Sequence, residues 1–368
     1  TTWGFHVPYN TSWDNRLNEE GHDPSKQILL EIMSGHGNSE EYRNFIAVDE
    51  GVDSLPICPE ANNNFLPACQ RASELMRDRC QGLSDSECEA RIKLAKHFTI
   101  EAGPYSNMVF PEAKPEEWLD ANQCRDCFKP SFNYRPKQSG QYALAITNFD
   151  SNNFSRYKFG FIASTDDHTA RPGVGYKQYE RRKMTFSTGV QSSWFDFNYK
   201  AEDANFPEQP SLMSGESQPD SERNSSFTYP GGIVGVHARS RSKEDIWEAL
   251  KNKRTYGTSG PRILLWFELL TSYGESLSMG SEITMIEAPT FRVKAAGSYK
   301  QKPGCPSDSV SNLSNERLDY LCAGECYNPS DERYSITRIE VIKITPQEYQ
   351  GERIADLIND AWKTIECP

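Results

Sequence analysis

At 368 residues, 36% hydrophobic and 25% charged, the chain has the length of about two to three ordinary domains and enough apolar side chains to fill them, which excludes a disordered protein. Its formal charge of -12 excludes nucleic acid as the main partner, because phosphate neutralisation needs Lys and Arg clusters that carboxylates do not outnumber. No stretch approaches the ~18 consecutive apolar residues that a membrane span requires, so no span is expected.

In chain order, the first predicted element is a buried strand over 28-ILLEIMSG-35, closed by a glycine turn. Helices are predicted over 69–80 and 85–98, where apolar positions recur at helical spacing and Cys69, Cys80 and Cys88 sit near the ends. A third helix is predicted over 138–147, around Tyr142, Ala143, Leu144 and Ile146. A second buried strand follows at 157-YKFGFIAST-165, and strand, helices, strand is the rhythm of an α/β domain.

From 170 to 230 the chain turns to Pro, Ser, Asn, Asp and Glu with little periodicity, a loop excursion of a length that is usually functional or partly disordered. A strand returns at 231-GGIVGVHA-238, then a helix at 242-SKEDIWEALKNK-253, started by a capping-box-like Ser242 and Asp245. Beyond 257-GTSGPR-262, the segments 262-RILLWFELL-270, 289-PTFRVKAAG-297 and 335-SITRIEVIKIT-345 alternate like strands, with no long helix expected until about 353. The expected organisation is α/β over 1–260 and a smaller β-rich unit over 261–368.

The ten cysteines fall in local clusters within polar loops, which predicts a disulfide framework and an extracellular or periplasmic location. The chain begins with Thr1, consistent with removal of an upstream segment. A zinc site at Cys124-Arg-Asp-Cys127 would need a second pair of matching spacing, and Cys322-Ala-Gly-Glu-Cys326 does not supply it.

Buried parallel strands deliver functional side chains at their C-terminal ends. Asp166 and His168 follow the 157–165 strand, and in an extended segment two such residues point to one side, so that both can reach one ion. His36 follows the 28–35 strand, and His6 precedes Pro8 and Asn10 near another apolar segment. His36, His6, Asp166 and His168 together make a candidate ligand set. His237, just past a strand, and Arg262, in the 257–262 turn, are candidates for contact with an anionic substrate. No G-x-S-x-G elbow and no phosphate-binding loop occurs.

The motifs 34-SGHGNSE-40, 161-FIASTDDHTARPGVGYK-177 and 231-GGIVGVHARSRSKEDIWEALKNKRTYGTSGPRILLWF-267 resemble the domain of unknown function 3604 family. The stretches 58–91, 124–146 and 353–368 also look like its members. That family is related to the polymerase-and-histidinol-phosphatase (PHP) superfamily of metal-dependent phosphoesterases. The resemblance implies a PHP-like distorted β/α barrel holding divalent zinc, manganese or iron, with a metal-bound hydroxide attacking a phosphoester.

Asp166 and His168 match the superfamily's final Asp-x-His motif. His6 matches the histidine of a Pro-His-Asn-like segment, and His36 that of Gly-His-Gly-Asn-Ser-Glu. The opening His-x-His motif has no counterpart in the sequence, which implies that further ligands come from an N-terminal segment of the same precursor. The alternative, from a different class, is a non-catalytic extracellular binding or assembly protein on a degenerate scaffold of this kind.

Overall fold

A computed structural model describes residues 12–18, 20–34, 37–102, 109–110, 113, 115–122, 136–150, 155–165, 206–207, 209 and 231–367. The strand Leu29–Ser34 pairs in parallel with Gly160–Ala163, Leu29 opposite Gly160 and Glu31 opposite Ile162, with an irregularity before Met33 meets Ala163. Gly37–Asn38 folds back antiparallel along the other edge of Leu29–Ser34. The two strands expected from apolar runs are therefore neighbours that point the same way.

Next to them lies a hairpin of Ile233–Val236 and Thr255–Thr258, joined through the helix Lys243–Lys251. Ser242 caps that helix, its Oγ accepting from the Asp245 amide at 3.1 Å. The hairpin fits closely because glycines face its neighbours. A Cβ at Gly232 would stand 2.6 Å from the Thr258 carbonyl oxygen and 2.7 Å from Ala163 Cβ.

Two helices, Ala68–Asp78 and Asp85–Ala102, form a separate packed layer. The first buries Ala68, Ala72, Leu75 and Met76, a stripe at helical spacing, against Ile92 and Ala95 of the second. Disulfides Cys58–Cys69 and Cys80–Cys88 fasten the two ends of the first helix to its flanking chain. A shorter helix, Gly140–Ala145, is capped by Ser139, whose Oγ accepts from the Tyr142 amide at 3.2 Å. It packs Tyr142, Ala143 and Ala145 with Leu17, Tyr157 and Ile354.

After residue 262 the described elements are mainly antiparallel strands. Leu264–Leu270 lies between Ser276–Ser278 and Thr290–Ala296, Tyr299–Gln301 pairs with Pro329–Arg333, and Arg338–Ile344 pairs with Ile358–Glu366. The helix expected from about 353 is confined to Ile354–Leu357, and the chain then runs on as the strand Ile358–Glu366. Two short helices not foreseen there, Ser307–Asn312 and Asn315–Cys322, separate the strands.

Contacts join this region to the earlier chain: Arg43 pairs with Asp360 at 2.7 Å, and the Gln347 amide donates to the Ala145 carbonyl at 2.8 Å. The architecture is mixed α/β. Among the described residues the sheets have two or three strands and none closes into a barrel. The hairpin of Ile233–Val236 and Thr255–Thr258 is a two-stranded antiparallel sheet of its own. No described helix is long and apolar enough to cross a membrane.

Candidate functional site at the strand ends

The parallel strands end side by side. The Ser164 amide donates to the Met33 carbonyl at 2.9 Å, and the Gly232 amide donates to the Ser164 carbonyl at 2.6 Å. Three chain segments thus meet at one edge, at Ser34, Ser164 and Gly232. Met33 and Ala163 form the apolar floor beneath them. His36 lies two residues beyond Ser34, and Asp166 and His168 lie two and four beyond Ser164. These three, and His6, fall outside the described residues.

One polar contact at this edge went unnoticed in the sequence. The Ser164 hydroxyl donates to the carboxylate of Glu31, across the parallel pair. Glu31 is the lone charge in 28-ILLEIMSG-35, a signal that a buried strand holds a carboxylate for some purpose. It ties the segment leading to Asp166 to the strand leading to His36.

The 38–43 segment beyond the glycine turn is equally well fixed. Asn38 is buried; its Oδ1 accepts from the Glu40 amide at 2.8 Å and its Nδ2 donates to Glu41 at 2.8 Å. The Ser39 and Glu40 carbonyls accept from Gly140 and Gln141 at 2.7 and 2.9 Å, so the first turn of the Gly140–Ala145 helix donates to this segment. Burial, and secondarily the Asp360 carboxylate, push the Glu40 carboxyl above its usual range. Arg43 reaches Asp360 at 2.7 Å and Glu41 at 3.5 Å, partly offsetting that negative charge.

His237 is placed elsewhere. Gly232 stands at the Ser164 end of the hairpin, and His237 lies five residues further along, roughly 15 Å at the rise of an extended strand. The His237 amide donates to the Arg254 carbonyl at 2.9 Å, and the adjoining Lys253 packs on Gly160, the first residue of its strand, so this end of the hairpin lies away from the edge where Ser34 and Ser164 meet. The His237 Nε2 lies 2.8 Å from the Leu265 carbonyl, which can only accept, so Nε2 carries the proton. Its ring stands among Tyr256 and Trp266, with centroids at 5.6 and 6.2 Å. That setting describes a histidine tying the hairpin to the Leu264–Leu270 strand.

The Arg262 guanidinium is exposed and stacks over the Tyr327 ring at 4.1 Å. The Tyr256 hydroxyl donates to the carbonyl of the next residue, Ile263, at 2.9 Å. Of the two remaining histidines, His97 pairs with Glu101 at 3.2 Å one helical turn on. His22 meets Tyr157 and Phe159 edge-on, and burial lowers its pKa.

No curated protein and no solved structure matches the chain. Over residues 142–298, which hold both the 161–177 and the 231–267 motifs, the chain is similar to the family described as Protein of unknown function (DUF3604).

Proposed function

We propose that the chain is part of an exported metal-dependent hydrolase, acting on a phosphoester, built on a PHP-like scaffold. The observation that supports this most is the meeting of Ser34, Ser164 and Gly232 at one edge, since two of those segments lead directly into His36 and into Asp166 and His168. Imidazole and carboxylate donors suit zinc, manganese or iron. A divalent ion, when bound, would polarise a phosphoryl oxygen and lower the pKa of its bound water.

In this reading His6, His36, Asp166 and His168 are ligands, completed by residues of an N-terminal segment of the precursor. Glu31 and Ser164 act as positioning residues, holding two ligand-bearing segments against each other. Arg262, stacked on Tyr327, is assigned to contact the anionic substrate, whereas His237 is left to hold the hairpin. The three disulfides among the described residues support export to an oxidising compartment.

The test is elemental analysis of the intact precursor, purified without chelators, alongside Asp166→Ala and His168→Ala. At least one equivalent of a divalent metal is expected, reduced in both variants, together with metal-dependent hydrolysis of an aryl phosphate mono- or diester. A metal-free protein overturns the reading in favour of a non-catalytic extracellular binding protein.

A further inference from the structure

The short helix Asn315–Cys322 carries its last cysteine into a site built from two other segments. Cys305 and Cys326 form a disulfide. Cys322, buried at 8% exposure, is a thiol whose sulfur lies 3.0 Å from Cys326 Sγ and 3.8 Å from Cys305 Sγ. A thiol at that separation from a disulfide is already within reach of the sulfur it would attack.

Contacts other than the disulfide hold the site together. Ala323 and Gly324 take left-handed conformations that turn the chain back after the helix, and the Glu325 amide donates to the Cys322 carbonyl at 2.8 Å. The Gly304 amide donates to the Glu325 carboxylate at 2.8 Å, and the Asn328 amide to the Gln301 side chain at 2.9 Å. Breaking one S–S bond therefore leaves Cys305 and Cys326 close together.

We propose that Cys305, Cys322 and Cys326 form a thiol–disulfide exchange site in which Cys326 pairs alternately with Cys305 and with Cys322, making Cys305 a site of modification by small disulfides. In the forward step Cys322 gives up to water the S–H proton that it now shares with the Leu318 carbonyl at 3.2 Å. Its thiolate attacks Cys326 Sγ, the Cys322–Cys326 bond forms, the Cys305–Cys326 bond breaks, and Cys305 leaves as a thiolate that takes a proton from water. No oxidant or reductant is consumed.

The Gly324 carbonyl, 3.5 Å from Cys305 Sγ, is in place to accept from the thiol so released. The exchange moves the thiol from a buried to a half-buried position. There it can attack a low-molecular-weight aliphatic disulfide RSSR, forming Cys305–S–S–R and releasing one RS⁻. A three-thiolate zinc site would need these sulfurs reduced, whereas two of them are bonded to each other.

The experiment is linkage mapping by mass spectrometry of the intact, non-reduced protein. It is incubated at neutral pH with oxidised glutathione, then acid-quenched before alkylation and digestion. Both Cys305–Cys326 and Cys322–Cys326 peptides are expected, with one glutathionyl group on Cys305 that is lost in Cys322→Ser. Cys305–Cys326 as the single linkage, with all label on Cys322, overturns the proposal. So does a bridge from Cys322 to any other cysteine, or three reduced thiols holding zinc. If Cys322→Ser fails to fold, the wild-type linkage map decides by itself.

Discussion

Trp118, beside the paired helices, is fully buried, whereas Trp362, in the C-terminal hairpin, is half-buried and Ile286, also beyond residue 262, is wholly exposed. The helical layer collects Leu66, Ala72, Leu75, Met76, Ile92, Ala95, Val109, Phe110 and Trp118 into one core. Beyond residue 262 the buried apolar side chains among the described residues are Leu318, Cys322 and Ile354. The contrast follows from geometry. Two helices facing each other hide a stripe from each, while a sheet of two or three strands needs something laid over its face. The helical layer therefore has stability of its own, and the strand-rich region depends on contacts such as Arg43 with Asp360.

The comparison is tested most severely by tryptophan truncation. Trp118→Ala is expected to cost about 3–5 kcal/mol in denaturant unfolding, and Trp362→Ala roughly half of that. Equal losses would mean that the C-terminal hairpin is as well packed as the helices. Replacing Cys80 and Cys88 together by serine is expected to cost about 2–3 kcal/mol, through the added freedom of the unfolded chain. Calorimetry that found no change in Tm would sink the view that this bridge stabilises the helical layer.

Between the two regions, Gly232→Ala is expected to destabilise by about 1–3 kcal/mol, since the added methyl meets backbone at Thr258 and the side chain of Ala163. On the proposed reading it also lowers metal content, which elemental analysis reads separately from Tm.

The smallest effect concerns Glu282, which accepts from both Lys158 and Lys253 and is held down to about 2 by those two bonds. A carboxyl with a depressed folded-state pKa adds stability that is present above its ordinary 4.5 and fades as pH falls through about 2. Half the side chain is exposed, so solvent screening keeps the contribution under about 1 kcal/mol. Glu282→Gln should flatten the stability profile between about pH 4.5 and 2 while barely moving Tm at high salt; an unchanged acid limb refutes this.

Much of the local structure was legible before any coordinates. The predicted 28–35 and 157–165 strands were placed within a few residues of Leu29–Ser34 and Gly160–Ala163, because apolar runs bounded by polar turns signal burial. The Ser242 cap was legible for the same kind of local reason. The segment after 353 was not. Ile354, Leu357 and Ile358 sit at helical spacing, yet antiparallel pairing with Arg338–Ile344 draws Ile358–Glu366 into a strand.

Candidate ligands were chosen by their position after strands, a criterion blind to direction. It placed His36, Asp166 and His168 behind two strands that do end together, and it also drew in His237, which an antiparallel hairpin carries to the far end. Glu31 escaped attention because its partner, Ser164, is distant in sequence.

The sequence alone determined the buried strands, the helical stripes, the acidic balance and a set of cysteines suited to disulfides, all properties of composition and short-range spacing. Tertiary structure decided which strand ends meet, which way His237 faces, and that Cys305 joins Cys326 with Cys322 held alongside. Those outcomes depend on contacts between segments far apart in the chain, whose formation is governed by packing and closure of the whole fold and not by any local pattern.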